Sequence, residues 1–217
     1  HRFTDQAFST SVRIRMHLPV FSVEGPCQHR LRHPNHAARG VCGCTRDAHG
    51  IHVFSCHAGG HLIARHDHLK EMLSKKIEEL TGNPAPMEQN SAATDDDRRP
   101  DMTFQDWRGD TKWVDVAVVS PFARARGNPR HTRAGSAVAV MEGVKRRKYA
   151  ALALVPAVCS HFGRAGQDLI TLFRSLGRDL DLIDRATTVS MLWQDWSCML
   201  QKWNCNALAT SGELIAP

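Results

Sequence analysis

Apolar positions in this 217-residue chain fall into runs with two different spacings. Through residues 66–82, Leu69, Leu73, Ile77 and Leu80 recur at the interval that lines one face of a helix, and Gly82 supplies a stop. A weaker helical pattern over residues 3–18 carries Phe8, Val12, Ile14 and Met16. It is expected to pack on whatever precedes it, because a chain opening on His1 reads as a piece of something longer. "DMTFQDW" and "TKWVDVAVVS" read as two strands joined by the turn "RGD". "ALALVPAV" is a third strand, with Pro156 near an edge. Three further helices are expected. "SAVAVMEGVKRRKYAALA" carries Glu142, Lys145 and Lys148 on its polar face, and "GRAGQDLITLFRSLGR" turns Leu169, Ile170, Leu172, Phe173 and Leu176 inward. The last, at about residues 187–203, bears Val189, Leu192, Trp193, Trp196, Met199, Leu200 and Trp203 as an apolar stripe. Residues 23–40 and 83–100 are rich in breakers, with a short strand expected near Met87. This order predicts a mixed α/β fold whose sheet is not purely parallel, since its two central strands form a hairpin.

Composition narrows the function. A formal net charge of +6 favours a polyanionic partner. No apolar stretch approaches the roughly 18 residues of a membrane span, so no membrane partner is expected. The cysteines are seven, an odd number, and Cys42, Cys44 and Cys56 cluster beside histidines. That argues against a secreted disulfide framework and for an intracellular metal site. Cys42, Cys44, His52 and Cys56 offer the thiolate and imidazole set that a structural Zn²⁺ takes. His49, His57, His61 and His66 are alternative ligands, and Cys27 could belong or not. Free thiols beside surface histidines are the plainer alternative. Cys159, Cys198 and Cys205 read as buried thiols.

A second constellation lies on the expected hairpin. Asp101 and Asp115 stand at comparable distances from the turn on the two arms, where residues can share a face. Two adjacent carboxylates repel unless a cation lies between them, and Mg²⁺ or Mn²⁺ would serve. Alternatively both are solvated strand residues. Asp106 and Asp110 read as turn residues and Asp95–Asp97 as a solvated loop. Lys145 and Lys148 share a helix face, followed by the chain's only tyrosine, Tyr149. Arg146 and Arg147 in "KRRKY", with Arg124, Arg126, Arg130 and Arg133 in the basic loop, are candidates for phosphate contact with DNA.

The ordered motifs "CGC…GIHVFSC…GGHLIARHDHL…ME…RRPDMTF…VDVAVVSPF…KRRKY…HFGRAGQDL" resemble the C-terminal region of site-specific non-LTR retrotransposon polyproteins, over about residues 10–205. That resemblance implies a Cys-Cys-His-Cys zinc knuckle followed by a restriction-like PD-(D/E)xK endonuclease, with a central mixed sheet flanked by helices. The implied division is a helix and linker from an upstream reverse transcriptase at 1–37, the knuckle at 38–66 and the nuclease at 67–217. The implied activity is Mg²⁺-dependent nicking of double-stranded target DNA in the nucleus, the nick priming reverse transcription of the element's RNA. Asp101 matches the acid of the "PD" motif, Asp115 the second acid, and Glu88 an acid often contributed by the preceding helix or strand. The pattern's lysine, two residues after the second acid, is replaced by Ala117. Lys145 or Lys148 would then serve from the later helix, with Tyr149 beside them. Two other readings stand next to this one: a zinc-containing nucleic-acid-binding module with a degenerate core, and a scaffold using the tryptophan-rich helix as an interface.

Overall fold

The computed structural model describes residues 3–30, 40–88, 99–122, 135–178 and 182–217. Arg124, Arg126, Arg130, Arg133 and the Asp95–Asp97 run lie outside the described residues. The fold is mixed α/β, with helices α1 (Asp5–Arg15), α2 (His61–Thr81), α3 (Ser136–Lys148), α4 (Gln167–Leu176) and α5 (Leu182–Ser211). The strands are β1 (Gly25–Pro26), β2 (Thr45–Arg46), β3 (Met102–Gln105), β4 (Thr111–Val119) and β5 (Leu154–Ser160). Among the described residues no helix is long and apolar enough to cross a membrane.

The chain divides into two compact units, one of residues 1–65, 161–163 and 198–217, the other of 66–160 and 164–197. This differs from the three-part division expected along the sequence. The reason is a core in the first unit built from both ends of the chain: Ile14, Val20, Phe21, Val53 and Phe54 close on Cys205, Ala207 and Leu208. Buried Arg65 donates to Asn204 Oδ1 at 2.9 Å in the same unit. On α1, Ile14 faces this core while Phe8, Val12 and Met16, one turn apart, remain exposed.

In the second unit a three-stranded sheet has the order β3-β4-β5. β3 and β4 pair antiparallel from Met102 opposite Val114 to Gln105 opposite Thr111. Asp106 makes the turn between them. Its Oδ1 accepts from the amides of Arg108 at 2.9 Å and Asp110 at 3.0 Å, and Gly109 takes the left-handed φ of 80° that the turn requires. β4 and β5 run parallel, Trp113 opposite Leu154 through Val119 opposite Ser160. Pro156 sits inside β5, which is an outer strand of the sheet. Gly166 N–H donates to Val158 O and Ser160 N–H to Arg164 O, each at 2.8 Å, so even-numbered residues of β5 direct their backbone groups away from β4. By the same alternation the missing N–H of Pro156 lies on the outer side and costs no bond to β4.

Helix faces follow the apolar spacing. Leu69, Leu73 and Ile77 of α2 are fully buried, as are Leu169, Leu172 and Phe173 of α4. The α5 tryptophans close cores instead of lining a free surface. Trp196 is 1 % exposed and Phe173 packs on Trp193 at 4.5 Å between centroids, while Trp203 is half-buried. Cys159 and Cys205 are buried and Cys198 half-buried. Glu142 points inward from α3 rather than along its polar face. Buried to 5 % exposure, its Oε1 accepts the amide of Asp168 at 3.0 Å in the first turn of α4. A carboxylate there satisfies an otherwise unpaired helix-end donor and meets the positive end of the helix dipole.

A Cβ on Gly166 would overlap the Glu142 carboxylate and displace it from this role. Gly166→Ala is therefore expected to destabilise the protein by about 1–3 kcal/mol, read as a lower denaturant midpoint by far-UV circular dichroism. An unchanged midpoint would contradict the capping role given to Glu142.

Candidate metal centre and acidic site

The metal centre is built by backbone pairing between segments distant in sequence. β1 pairs antiparallel with β2, Gly25 opposite Arg46 and Pro26 opposite Thr45. Beyond them Cys27 N–H donates to Cys44 O at 2.9 Å and Gly43 N–H to Cys27 O at 3.1 Å. This brings Cys27 onto the "CGC" segment. Gly43 takes a φ of 68°, so the chain turns between the two cysteines and they do not point alike. Cys42 faces inward and Cys44 is exposed. Asp47 then shapes the loop that delivers the histidine, its carboxylate accepting the amides of His49 at 2.9 Å and of Ile51 and His52 at 3.2 Å each. A single 3-10 turn, Val53–Ser55, separates His52 from Cys56.

The result places one ligand atom each from Cys27, Cys42, His52 and Cys56 within 4.8 Å of one another. Cys27 Sγ lies 3.9 Å from Cys56 Sγ, and Cys42 Sγ 3.3 Å from His52 Nε2. A tetrahedral Zn²⁺ with bonds of about 2.3 Å to sulfur and 2.0 Å to nitrogen needs edges of roughly 3.5–3.8 Å. The four residues fit such an ion, and can bind a metal such as zinc. Burial pushes the Cys27 thiol up and the Cys56 thiol up to about 12. Burial acts on Cys42 in the same sense, yet hydrogen bonds from the Cys44 amide and from neighbouring thiols bring it down. Burial and the nearby His29 lower His52, keeping its imidazole neutral as a ligand must be.

Cys27 thus stands where the sequence suggested Cys44, which is a correction to the ligand set. Of the alternative histidines, His49 and His57 are exposed and His61 Nε2 lies 2.9 Å from Thr210 Oγ1. His66 joins the acids of the second unit instead.

The acidic site sits where the hairpin leaves its turn farthest behind. Asp101 immediately precedes β3, and continuing the register by one residue sets it opposite Asp115 of β4. Asp115 is 3 % exposed. The Lys145 ammonium, from α3, forms an ion pair with its Oδ2. Tyr149, at the end of α3 and 1 % exposed, directs its hydroxyl between Asp115 Oδ1 at 3.2 Å and Arg99 O at 3.0 Å. Lys148 Nζ donates to that hydroxyl at 2.6 Å. Lys145 therefore reaches the acid directly, and Lys148 acts through Tyr149. Burial pushes the Asp115 carboxyl up; Lys145 pulls it back and the nearby Asp101 adds to the rise.

Asp101 accepts the Val116 amide at 2.6 Å and faces His66 Nε2 at 3.1 Å, both through Oδ2. That bond is the main cause raising the His66 imidazole against burial. Glu88 is placed differently from its expected role as a third acid. Its amide donates to Asp101 O at 2.9 Å, but its carboxylate is exposed and bonds Lys70 Nζ at 2.5 Å. Glu88 lies in a bend just beyond an isolated bridge between Met87 and Met102, on neither a helix nor a strand, and takes a left-handed φ of 56°. Among the described residues, Asp101, Asp115 and Glu88 do not bring three ligand atoms together as the cysteine centre does. Arg146 and Arg147 are exposed, Arg146 pairing with Asp168.

His66 and Lys70 were not singled out for this site from the sequence. Their spacing was the available signal, since residues four apart on α2 share a face and both flank the buried Leu69 and Leu73. The chain matches no protein-family model and no curated protein.

Purified with Zn²⁺, the protein is expected to hold one equivalent, released by a thiol-modifying reagent and read with a metallochromic dye. Cys27→Ser and Cys56→Ser should lose it and Cys44→Ser retain it. Zinc retained by Cys27→Ser and lost by Cys44→Ser would restore the ligand set first expected.

Proposed function

We propose that the second unit is a metal-dependent endonuclease of the restriction-like PD-(D/E)xK type, nicking double-stranded DNA. The resemblance to non-LTR retrotransposon polyproteins supports target-primed reverse transcription as its setting, in the nucleus, with element RNA carried by an upstream reverse transcriptase. The observation carrying the proposal is Asp115, a buried carboxylate on the central strand with Asp101 as neighbour and the Lys145 ammonium against it from a later helix. A structural carboxylate gains nothing from being buried beside a second acid, whereas a cation site requires it.

Asp101 and Asp115 would hold Mg²⁺ or Mn²⁺, hard cations that suit carboxylate oxygens. The bound ion supplies Lewis-acid polarisation of a phosphodiester. The chain's own groups do the rest. Tyr149 and Lys148 orient Asp115, and His66 and the Val116 amide orient Asp101. Lys145 offers positive charge to a phosphoryl group in transfer, in the place left open by Ala117. The basic residues Arg146 and Arg147 suit phosphate contact, and the Cys/His centre suits a module that positions nucleic acid.

The Lys70–Glu88 pair favours a second reading, in which the domain binds nucleic acid without cutting it, because among the described residues no third acid joins Asp101 and Asp115. Relaxation of supercoiled plasmid decides between them. With Mg²⁺ or Mn²⁺ the parent is expected to nick, Asp115→Asn and Asp101→Asn to fall to background, and Lys145→Ala to lose about 10²-fold or more. DNA binding, by filter retention, should survive in all three. Retention without nicking by the parent would leave the binding reading alone.

A further inference from the structure

The second unit has a concave site away from the acids. Phe104 and Lys112 pair across the hairpin, three residues from Asp101 and Asp115 respectively, which is about 10 Å along the strands. Odd and even residues of β4 face opposite sides of the sheet, so Lys112 points away from the face that Asp115 uses. There the hairpin, β5 and α4 enclose a cavity of about 300 Å³, at the small end of the roughly 300–1,000 Å³ range of ligand sites. Phe104, Leu154 and Leu172 contribute an apolar wall, and Trp107 stands at the mouth, 47 % exposed.

The charges at that mouth are unevenly matched. Lys112 lies 3.4 Å from Asp106 and 3.5 Å from Asp110, and Asp168 pairs with Arg146. Arg108 and Arg178, by contrast, meet no carboxylate among the described residues. Their guanidinium carbons lie 4.5 Å and 5.1 Å from the centroid of the Trp107 ring. One exposed indole therefore holds two cations that meet no counter-charge among the described residues, over an apolar slot. An indole supplies a stacking face and guanidinium groups bind phosphate, the two requirements of a base with its phosphate attached.

We propose that this cavity binds a nucleotide, with the base against Trp107 in the slot and the phosphate on Arg108 and Arg178. An unpaired residue of a nucleic-acid strand and a free mononucleotide share this chemistry. The strand as source rests on the nucleic-acid reading of the second unit; the cavity and its charges do not.

Fluorescence anisotropy of a labelled oligothymidylate on the full chain, with Zn²⁺ but no other divalent ion, tests this directly. Trp107→Ala is expected to weaken binding about tenfold, Trp107→Phe to keep most of it, and Arg108→Ala/Arg178→Ala to weaken it and flatten its salt dependence. AMP serves as competitor. Displacement of the strand by AMP identifies a free nucleotide as a sufficient ligand, and Trp107-dependent strand binding that AMP does not disturb identifies the strand. Parent-like affinity in Trp107→Ala for both probes overturns the proposal, as does equal loss in Trp107→Ala and Trp107→Phe. A parent that nicks plasmid but binds strands without regard to Trp107 keeps the nuclease and loses this pocket. Trp107-dependent binding by a parent that never nicks does the reverse.

Discussion

Asp115 is the point from which the second unit's arrangement follows. A carboxylate buried in the middle of a sheet strand is costly unless charge and hydrogen bonds surround it. Here α3 supplies both from its last turn: Lys145 to one oxygen and Tyr149, steadied by Lys148, to the other. Those contacts set the rotation of α3 about its own axis. The same rotation carries Glu142, one turn earlier, under the first turn of α4. A single helix thus ties β4 to α4 through charged groups. Removing Lys145 would strand a negative charge in a site that already raises the carboxyl.

Much of this frame is legible in the residue pattern, because its elements are local. Leu69, Leu73 and Ile77 announce α2 by spacing alone, and Asp106 and Gly109 mark the turn that sets the register of β3 on β4. The register in turn brings Asp101 opposite Asp115. What escapes the pattern is contact between distant segments. Cys27 reaches the metal centre only through β1 and β2, strands of two residues each, too short to register as apolar alternation. Cys44 looks like a ligand in sequence and is turned outward by the left-handed Gly43. Glu88 follows a proline-rich stretch, and no spacing rule says that Lys70 will take its carboxylate. The long α5 also hides a division, since its final residues serve the N-terminal core.

The first unit shows why a metal suits it. Its sheet is minimal and its apolar core is small. Small cores bury too little surface to offset chain entropy unaided, and a bound ion converts ligand affinity into folding stability. The Cys/His centre occupies the part of the unit where Cys27, Cys42, Cys56 and Ala58 are the main apolar contacts. Asp47 contributes by fixing the loop that carries His52, lowering the entropy that coordination must overcome.

Pro156 bears on how the molecule behaves in company. Outer strands with a full row of open amides invite a neighbouring chain to add itself, the first step of fibrillar aggregation. Along β5 the outer row is interrupted by the proline and, farther on, occupied by residues 164–166. The apolar sequence that makes this strand a good interior neighbour for β4 is therefore denied to other copies. Replacing Pro156 by valine would leave the sheet's inner pairing intact while opening a template for self-association, a hazard visible only at high concentration.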